Sequence, residues 1–264
     1  MTFYKIINVE VIMEGKSNPI QVADRLFGVI ELLADKGTMG LNEISKELKL
    51  NKTTVHRILN SLIYMGYVFQ NQHTHKYRLG FKICNISNQI LNQIDIITMV
   101  RPYLSELVNQ TGETAHLVQL DGINAVYIDK IESTTNTIRL VSQLGKRLSL
   151  YNSGVGKALL ADMEERQVEE IWERSKIIKY TPNTVTDYKV LQKELEKIRT
   201  KGYAIDKEEN EEGICCVATS LKMKDTGSCY AFSLSAPTYR MDARRMQEIS
   251  VHILNTKKQI ERIL

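Results

Sequence analysis

Apolar residues in the first third of the chain recur every three to four positions. Val22, Leu26, Val29, Ile30 and Leu33 fall on one side of a helix. Asn18-Pro19 opens that helix, since proline is tolerated in a first turn, and Lys36-Gly37 stops it. Leu41, Ile44 and Leu48 repeat the helical spacing, and Val55, Ile58, Leu59, Leu62 and Ile63 then form one continuous stripe. Asn51 stands ahead of this stripe, where a side-chain oxygen can cap free backbone N–H groups. Gly40–Gly66 therefore reads as two short helices joined by a tight turn. Tyr67–Phe69 and Lys76–Leu79 read as two short strands around the polar tip Gln70–His75, the wing of a winged helix-turn-helix.

Phe81–Met99 reads as one helix. Its seam, Ile83, Ile86, Ile90, Ile94 and Ile97, is close to heptad spacing, which suits a dimerising linker as well as a buried helix. Arg101-Pro102 restarts a helix that runs to about Gln110, and Thr111-Gly112 ends it. From Glu113 the apolar period changes. Ala115–Leu120 and Ala125–Ile131 alternate around the Asp121-Gly122 turn and read as strands, as do Ile138–Gln143, Leu148–Tyr151, Tyr203–Asp206, Ile214–Met223 and Tyr230–Ser235. Helices are expected at Ala158–Met163, Glu164–Trp172, Asp187–Lys201 and Met241–Leu264. Strands and helices without βαβ regularity indicate an α+β domain.

Charge sharpens the first part of this picture. No Asp or Glu occurs from Leu48 to Ile94, while the same span carries Lys49, Lys52, Arg57, Lys76, Arg78 and Lys82. The chain's formal charge is +4. Residues 1–85 hold 11 Lys/Arg and 7 Asp/Glu, and the remainder holds 24 of each, so the excess lies with the helix-turn-helix. A solvated helix face normally mixes signs, whereas a single-sign surface is what phosphate neutralisation requires. Thr53, Arg57, Asn60 and Tyr64 lie opposite the apolar stripe, flanked by Lys52, Thr54 and His56. That is the donor set of a recognition helix entering a DNA major groove. His75 and Lys76 on the wing would meet the sugar–phosphate backbone. His73 and His75 also sit at metal-compatible spacing, but a phosphate or water contact is the stronger reading.

Composition places limits. At 43% hydrophobic and 25% charged residues the chain is of ordinary globular make-up. No apolar run approaches the ~20 residues that span a bilayer. Residues 1–12 are partly apolar, but Glu10 and Glu14 and the lack of a small-residue cleavage site argue against a secretory signal, and Met13 offers an alternative start. Cys84, Cys215, Cys216 and Cys229 make no CxxC pair, which fits a reducing cytoplasm.

Candidate chemistry in the second half is modest. Gly154-Val155-Gly156 follows a strand and precedes a helix, so its N–H groups could attract an anion, yet the spacing is not that of a P-loop. Asp206 and Cys216 flank an acidic turn whose Glu208, Glu209, Glu211 and Glu212 read as a solvated loop. A nucleophilic Cys216 would need a base, and His116 is the one histidine placed in the core of this half. Ser233 and Ser235 share one face of a strand.

Three stretches resemble one family. IQVADRLFGVIELLADKGTMGLNEISKELKLNKTTVHRILNSLIYMGYV is similar to the DNA-binding domain of the isocitrate lyase regulator (IclR) family of bacterial transcription factors, SGVGKALLA to its turn-and-helix motif, and GYAIDKEENEEGICCVA to its signature near the effector pocket. The resemblance runs over residues 18–264. It implies a winged helix-turn-helix over 18–80, a linker and dimerisation helix over 81–99, and a GAF-like α+β effector domain over 100–264, with 1–17 as an extension. It implies no enzymatic activity and no cofactor or metal. The partners implied are double-stranded operator DNA, a small carboxylate effector, and a second copy in a homodimer, with dimers of dimers frequent in the family; no membrane is implied. Members regulate carbon catabolism. By position, the DNA contacts fall on Lys52, Thr53, Thr54, His56, Arg57, Asn60, His75 and Lys76. The effector pocket falls on Thr137, Leu140, Gly154, Val155, Asp206, Ile214, Cys216, Ser233 and Ser235. Ser149 and Thr219-Ser220 replace prolines common in the family, and Thr137 is polar where an apolar wall is common. An enzyme with a Cys-based site and a redox sensor built on Cys215-Cys216 or Cys229 are the competing readings; the acid-free helix-turn-helix favours the regulator.

Overall fold

The computed structural model describes residues 18–133, 142–222 and 229–264. The chain divides into two compact units between Ile94 and Asp95.

In the first unit, α1 (Gln21–Lys36), α2 (Leu41–Glu47) and α3 (Lys52–Tyr64) precede a hairpin of β1 (Val68–Gln70) and β2 (Tyr77–Leu79). Helix α1 begins three residues later than the Asn18-Pro19 signal. Asn18 Oδ1 instead accepts from Ile20 N–H at 3.0 Å, a turn ahead of the helix. Asn51 caps α3 as its sequence position requires, its Oδ1 accepting from Thr54 N–H at 2.7 Å. The stripe Val55, Ile58, Leu59 and Leu62 packs with Val29, Leu33, Ile44, Val68 and Tyr77 into one core. Val55, Leu59 and Leu62 are fully buried, and each such side chain stabilises by roughly 1.5–3 kcal/mol. Met39 bridges Tyr77, tying the wing to the loop after α1.

The helix expected over Phe81–Met99 is two helices. α4 (Lys82–Asn92) ends at Gln93, and α5 (Asp95–Thr111) runs without interruption through Pro102. Asp95 in the first turn of α5 suits the positive end of a helix. Pro102 is exposed, and buried Val100, Leu104, Leu107 and Val108 on either side hold the helix through the one donor that proline lacks. No residue of α4 is buried: Ile86 is 39% and Ile90 58% exposed.

The second unit is built on a six-stranded antiparallel sheet in the order β5-β4-β3-β8-β7-β6, formed by β3 (Thr114–Asp121), β4 (Asn124–Ile131), β5 (Arg147–Ser149), β6 (Ala204–Lys207), β7 (Ile214–Leu221) and β8 (Tyr230–Pro237). Strand alternation sends Val118, Ala125, Ala204, Ala218 and Ala231 towards α6 (Gly154–Ala161), α7 (Glu165–Arg174) and α8 (Tyr188–Lys201), where they form one core cluster. The opposite face carries Leu117, Val217, Phe232 and Leu234, and α5 and α9 (Ala243–Ile260) pack on that side of β3 and β7. Most of the strand expected at Ile138–Gln143 lies outside the described residues. The helix expected from Ala158 starts at Gly154, so the glycines are its first turn rather than a loop before it. A Cβ on Gly156 would lie 2.4 Å from Leu150 Cα; glycine is required there by close approach of two backbone segments.

Candidate nucleic-acid interface and ligand pocket

The polar face of α3 is open. Lys52, Thr53, His56, Arg57 and Asn60 are exposed, Thr54 is half-buried, and Tyr64 at the far end is 93% exposed. Asn60 Nδ2 lies 3.4 Å from His56 Nδ1, so the Asn60 amide donates loosely to the His56 ring across one helical turn. On the wing, His75 and Lys76 are exposed. Asn71 shapes the tip, its Oδ1 accepting from His73 N–H at 2.9 Å and Thr74 N–H at 3.0 Å. Two cations of the acid-free span have other work. Lys82 Nζ donates to Met65 O at 2.9 Å and sits 4.6 Å from the Tyr67 ring centre, which ties the start of α4 to the end of α3. Arg78 lies over the Phe69 ring at 4.8 Å.

In the second unit a pocket opens on the sheet face that carries α6. His116, Asp206, Cys216 and Ser235 form its floor, Tyr127, Leu148 and Ile214 its walls, and Lys146 and Glu211 its rim. A register shift between Leu117 and Val118 inserts one extra residue in β4, so that Tyr127 and Lys130, three apart, both face His116's side. The His116 and Tyr127 rings are 4.9 Å apart. His116 Nε2 is 2.7 Å from Ser142 Oγ, and Nδ1 is 3.3 Å from Ser235 Oγ. Burial, then the Lys130 charge, lowers the His116 pKa to about 3, so the ring is neutral. Burial pushes the Asp206 carboxyl up to about 7, although Glu209 N–H donates to its Oδ1 at 2.7 Å. Burial and the neighbouring Asp206 hold the Cys216 thiol well above its ordinary range. A protonated thiol beside a neutral, already engaged imidazole is not an activated nucleophile.

Of the expected pocket residues, the structure brings Asp206, Ile214, Cys216 and Ser235 together. Gly154 backs onto the same place: a Cβ there would lie 3.5 Å from Asp206 Cβ and 3.6 Å from Cys216 Cβ. Gly156 N–H is capped by Ser153 Oγ at 3.2 Å, which leaves Gly154 and Val155 N–H as the donors without an acceptor among the described residues. Val155 and Ser233 are buried beside the pocket rather than lining it. Thr137 and Leu140 lie outside the described residues. Asn152, two residues before Gly154, is fully buried, and neither of its amide atoms has a hydrogen-bond partner among the described residues.

One expectation is overturned. Glu209 is not part of a solvated loop; it is 6% exposed. Lys157 Nζ lies 2.6 and 2.8 Å from its two carboxylate oxygens and 2.8 Å from Glu194 Oε2. Thr184 Oγ1 donates to Glu209 O at 2.7 Å, and Asn183 Nδ2 to Lys207 O at 3.1 Å. The turn that carries Asp206 is thereby pinned to α6 and α8. Nothing in an acidic run distinguishes the one glutamate that turns inward; the signal was a lysine directly after GVG, inside an otherwise apolar helix.

Two sequence families match the chain: the IclR helix-turn-helix domain over residues 22–72 and the bacterial transcriptional regulator IclR C-terminal domain over residues 88–262. The chain belongs to the IclR family. It is 36% identical over 224 residues to the HTH-type transcriptional regulator XynR of Escherichia coli (strain K12), covering 84% of this chain and 88% of XynR. The crystal structure of the Thermotoga maritima IclR aligns with a TM-score of 0.77 at 30% identity, over 92% of this chain and 98% of that one. An IclR homolog from Microbacterium hydrocarbonoxydans, crystallised in complex with 4-hydroxybenzoate, shares the fold with a TM-score of 0.71 at 18% identity, over 90% and 100% of the two chains. This IclR-family protein is a helix-turn-helix transcriptional regulator and not an enzyme. No helix among the described residues is long and apolar enough to cross a membrane.

Proposed function

We propose that this protein is a cytoplasmic regulator of a carbon catabolic operon whose grip on operator DNA is modulated by a small organic acid. Arg57 and Asn60, with Lys52, Thr53, Thr54 and His56, read the major groove from α3, and His75 and Lys76 hold the backbone from the wing. The exposed isoleucines of α4 pair with those of a second copy, so that two recognition helices address a palindromic site.

The observation that carries the effector reading is the convergence of Asp206, Cys216 and Ser235 with Gly154 at the start of α6. Donor N–H groups of Gly154 and Val155, at the positive end of a helix, suit a carboxylate. Leu148 and Ile214 supply apolar wall, and Thr137 and Leu140 complete the proposed site. The 4-hydroxybenzoate bound by the Microbacterium homolog is a ligand of this chemical class.

The test joins two measurements. Duplexes selected from a random pool by the full-length protein provide an operator for anisotropy titration. A thermal-shift panel of small carboxylates then provides candidate effectors, a ligand at 100 times its Kd stabilising by about 2.7 kcal/mol. At least one carboxylate should both raise the melting temperature and change operator affinity. Stabilisation by none of them, or with no change in operator affinity, rejects the reading.

A further inference from the structure

Asp206 is a buried carboxyl in a pocket read as taking carboxylates, so two negative charges would meet there. It is 4% exposed and lies on the pocket floor. Gly154 stands against it, since a Cβ there would lie 3.5 Å from Asp206 Cβ. A ligand carboxylate seated on the Gly154 and Val155 N–H groups therefore sits beside Asp206.

The groups that face Asp206 do not offset a second anion. On α6, the Lys157 ammonium is already shared between Glu209 and Glu194. On β7, Cys216, its register partner, keeps its thiol proton. On β3, His116 is neutral, and on β4, burial keeps the Tyr127 phenol protonated. The turn after β6 gives Asp206 Oδ1 the Glu209 N–H at 2.7 Å, but its side chains there are the carboxylates of Glu209 and Glu211. At the rim, Glu211 stands with Lys146, one charge of each sign. Among the described residues, the pocket floor thus carries no uncommitted cation. Two carboxylates in contact in such a site do not both stay ionised; they hold one proton between them. Burial, before any ligand charge is added, pushes the Asp206 carboxyl up to about 7, so a proton is within reach near neutral pH.

We propose that Asp206 couples effector binding to proton uptake: when an organic acid binds as its anion, Asp206 takes one proton from solvent and donates it in a hydrogen bond to a ligand carboxylate oxygen. The pocket then gains an anion and a proton together, and its net charge does not change. The regulator responds more strongly to such an effector as pH falls. The inference rests on the reading of this pocket as the effector site.

The test counts protons. Full-length protein is titrated calorimetrically with acetate, benzoate and 4-hydroxybenzoate, each in two buffers of different ionisation enthalpy. Uptake of about one proton per bound anion is expected near pH 8.5, falling towards zero near pH 5.5, with affinity dropping about tenfold per unit above pH 7. Asp206→Asn cannot titrate, so it should bind without proton uptake and with an affinity that is flat over the same range. Where that variant does not fold, wild type labelled with 13C at the aspartate carboxyls provides the same answer: a carboxylic-acid signal should appear near pH 8.5 only when the anion is bound. Binding without proton uptake, uptake that persists in Asp206→Asn, or bound protein with no carboxylic-acid signal would overturn the proposal and leave the effector reading standing. Binding by none of the three anions at any pH rejects the effector reading, and this inference with it.

Discussion

The ammonium group of Lys157, 1% exposed, is shared between both carboxylate oxygens of Glu209 and one of Glu194, all within 2.8 Å. Burial alone would lower the Lys157 pKa, but the two glutamates more than offset it and hold the group charged. Lys157→Met leaves Glu209 buried without its cation, which costs about 3–5 kcal/mol. The double variant Lys157→Met/Glu209→Leu removes both charges and should recover most of that loss. Urea unfolding of the three proteins checks this; a single variant as stable as wild type would mean that the cluster contributes little.

Asp206 and His116 make opposite contributions to stability across mildly acidic pH. The Asp206 pKa is raised from 3.8 to about 7, so between these values the folded state holds a proton that the unfolded state has lost, and stability falls as pH rises. The His116 pKa is lowered from 6.5 to about 3, so between these values the unfolded state holds the extra proton, and stability rises with pH. From about pH 4 to 6.5 the two slopes cancel, each at most about 1.4 kcal/mol per unit. Asp206→Asn should therefore make stability climb with pH in that window, and His116→Asn should make it decline. Melting temperatures measured from pH 4 to 7 decide, and parallel profiles for the two variants would contradict both assignments.

Arg57→Ala should weaken operator binding and relax base preference, because Arg57 stands at the centre of the exposed face of α3. A bidentate arginine–guanine contact carries ~1–3 kcal/mol of discrimination. Lys76→Ala on the wing should instead weaken all sequences alike and lower the salt slope by about one unit. Anisotropy titrations on operator and scrambled duplexes at several salt concentrations separate the two behaviours.

Replacing Ile90 and Ile94 with Asp should dissociate the proposed homodimer without unfolding the protomer, since Ile90 is 58% exposed and Ile94, just past the end of α4, is only half-buried in the single chain. Like charges brought together in an apolar seam cost several kcal/mol. Sedimentation velocity should show a smaller species with weak operator binding. An oligomer of unchanged size would place the interface elsewhere.

Gly154→Leu should abolish the response to any effector while leaving operator affinity intact. A Cβ at this position already lies 3.3 Å from Ala218 Cβ, so a longer side chain must extend towards Asp206 and Cys216. Calorimetry with a carboxylate that stabilises the wild type checks this. An unchanged affinity would move the site away from α6.

Local patterns determined much of this protein. The stripe Val55–Leu62, the Asn51 cap and the hairpin signals are short-range features, and the first unit follows them closely because helix periodicity and capping act within one or two turns. The acid-free span, too, is legible from composition alone. Proline misled: Pro102 reads locally as a helix boundary, yet packing of Val100 and Leu104 on either side carries α5 through it. Pairing across the sheet was decided only by the tertiary structure. His116 meets Ser235 across 119 positions and Ser142 across 26, and Lys157 meets Glu209 across 52. An acidic turn gives no local hint of which glutamate is buried, and a lone histidine on a strand gives none of its partners. Those depend on register, on one β-bulge, and on which helix covers which face, none of which leaves a periodic mark in the chain.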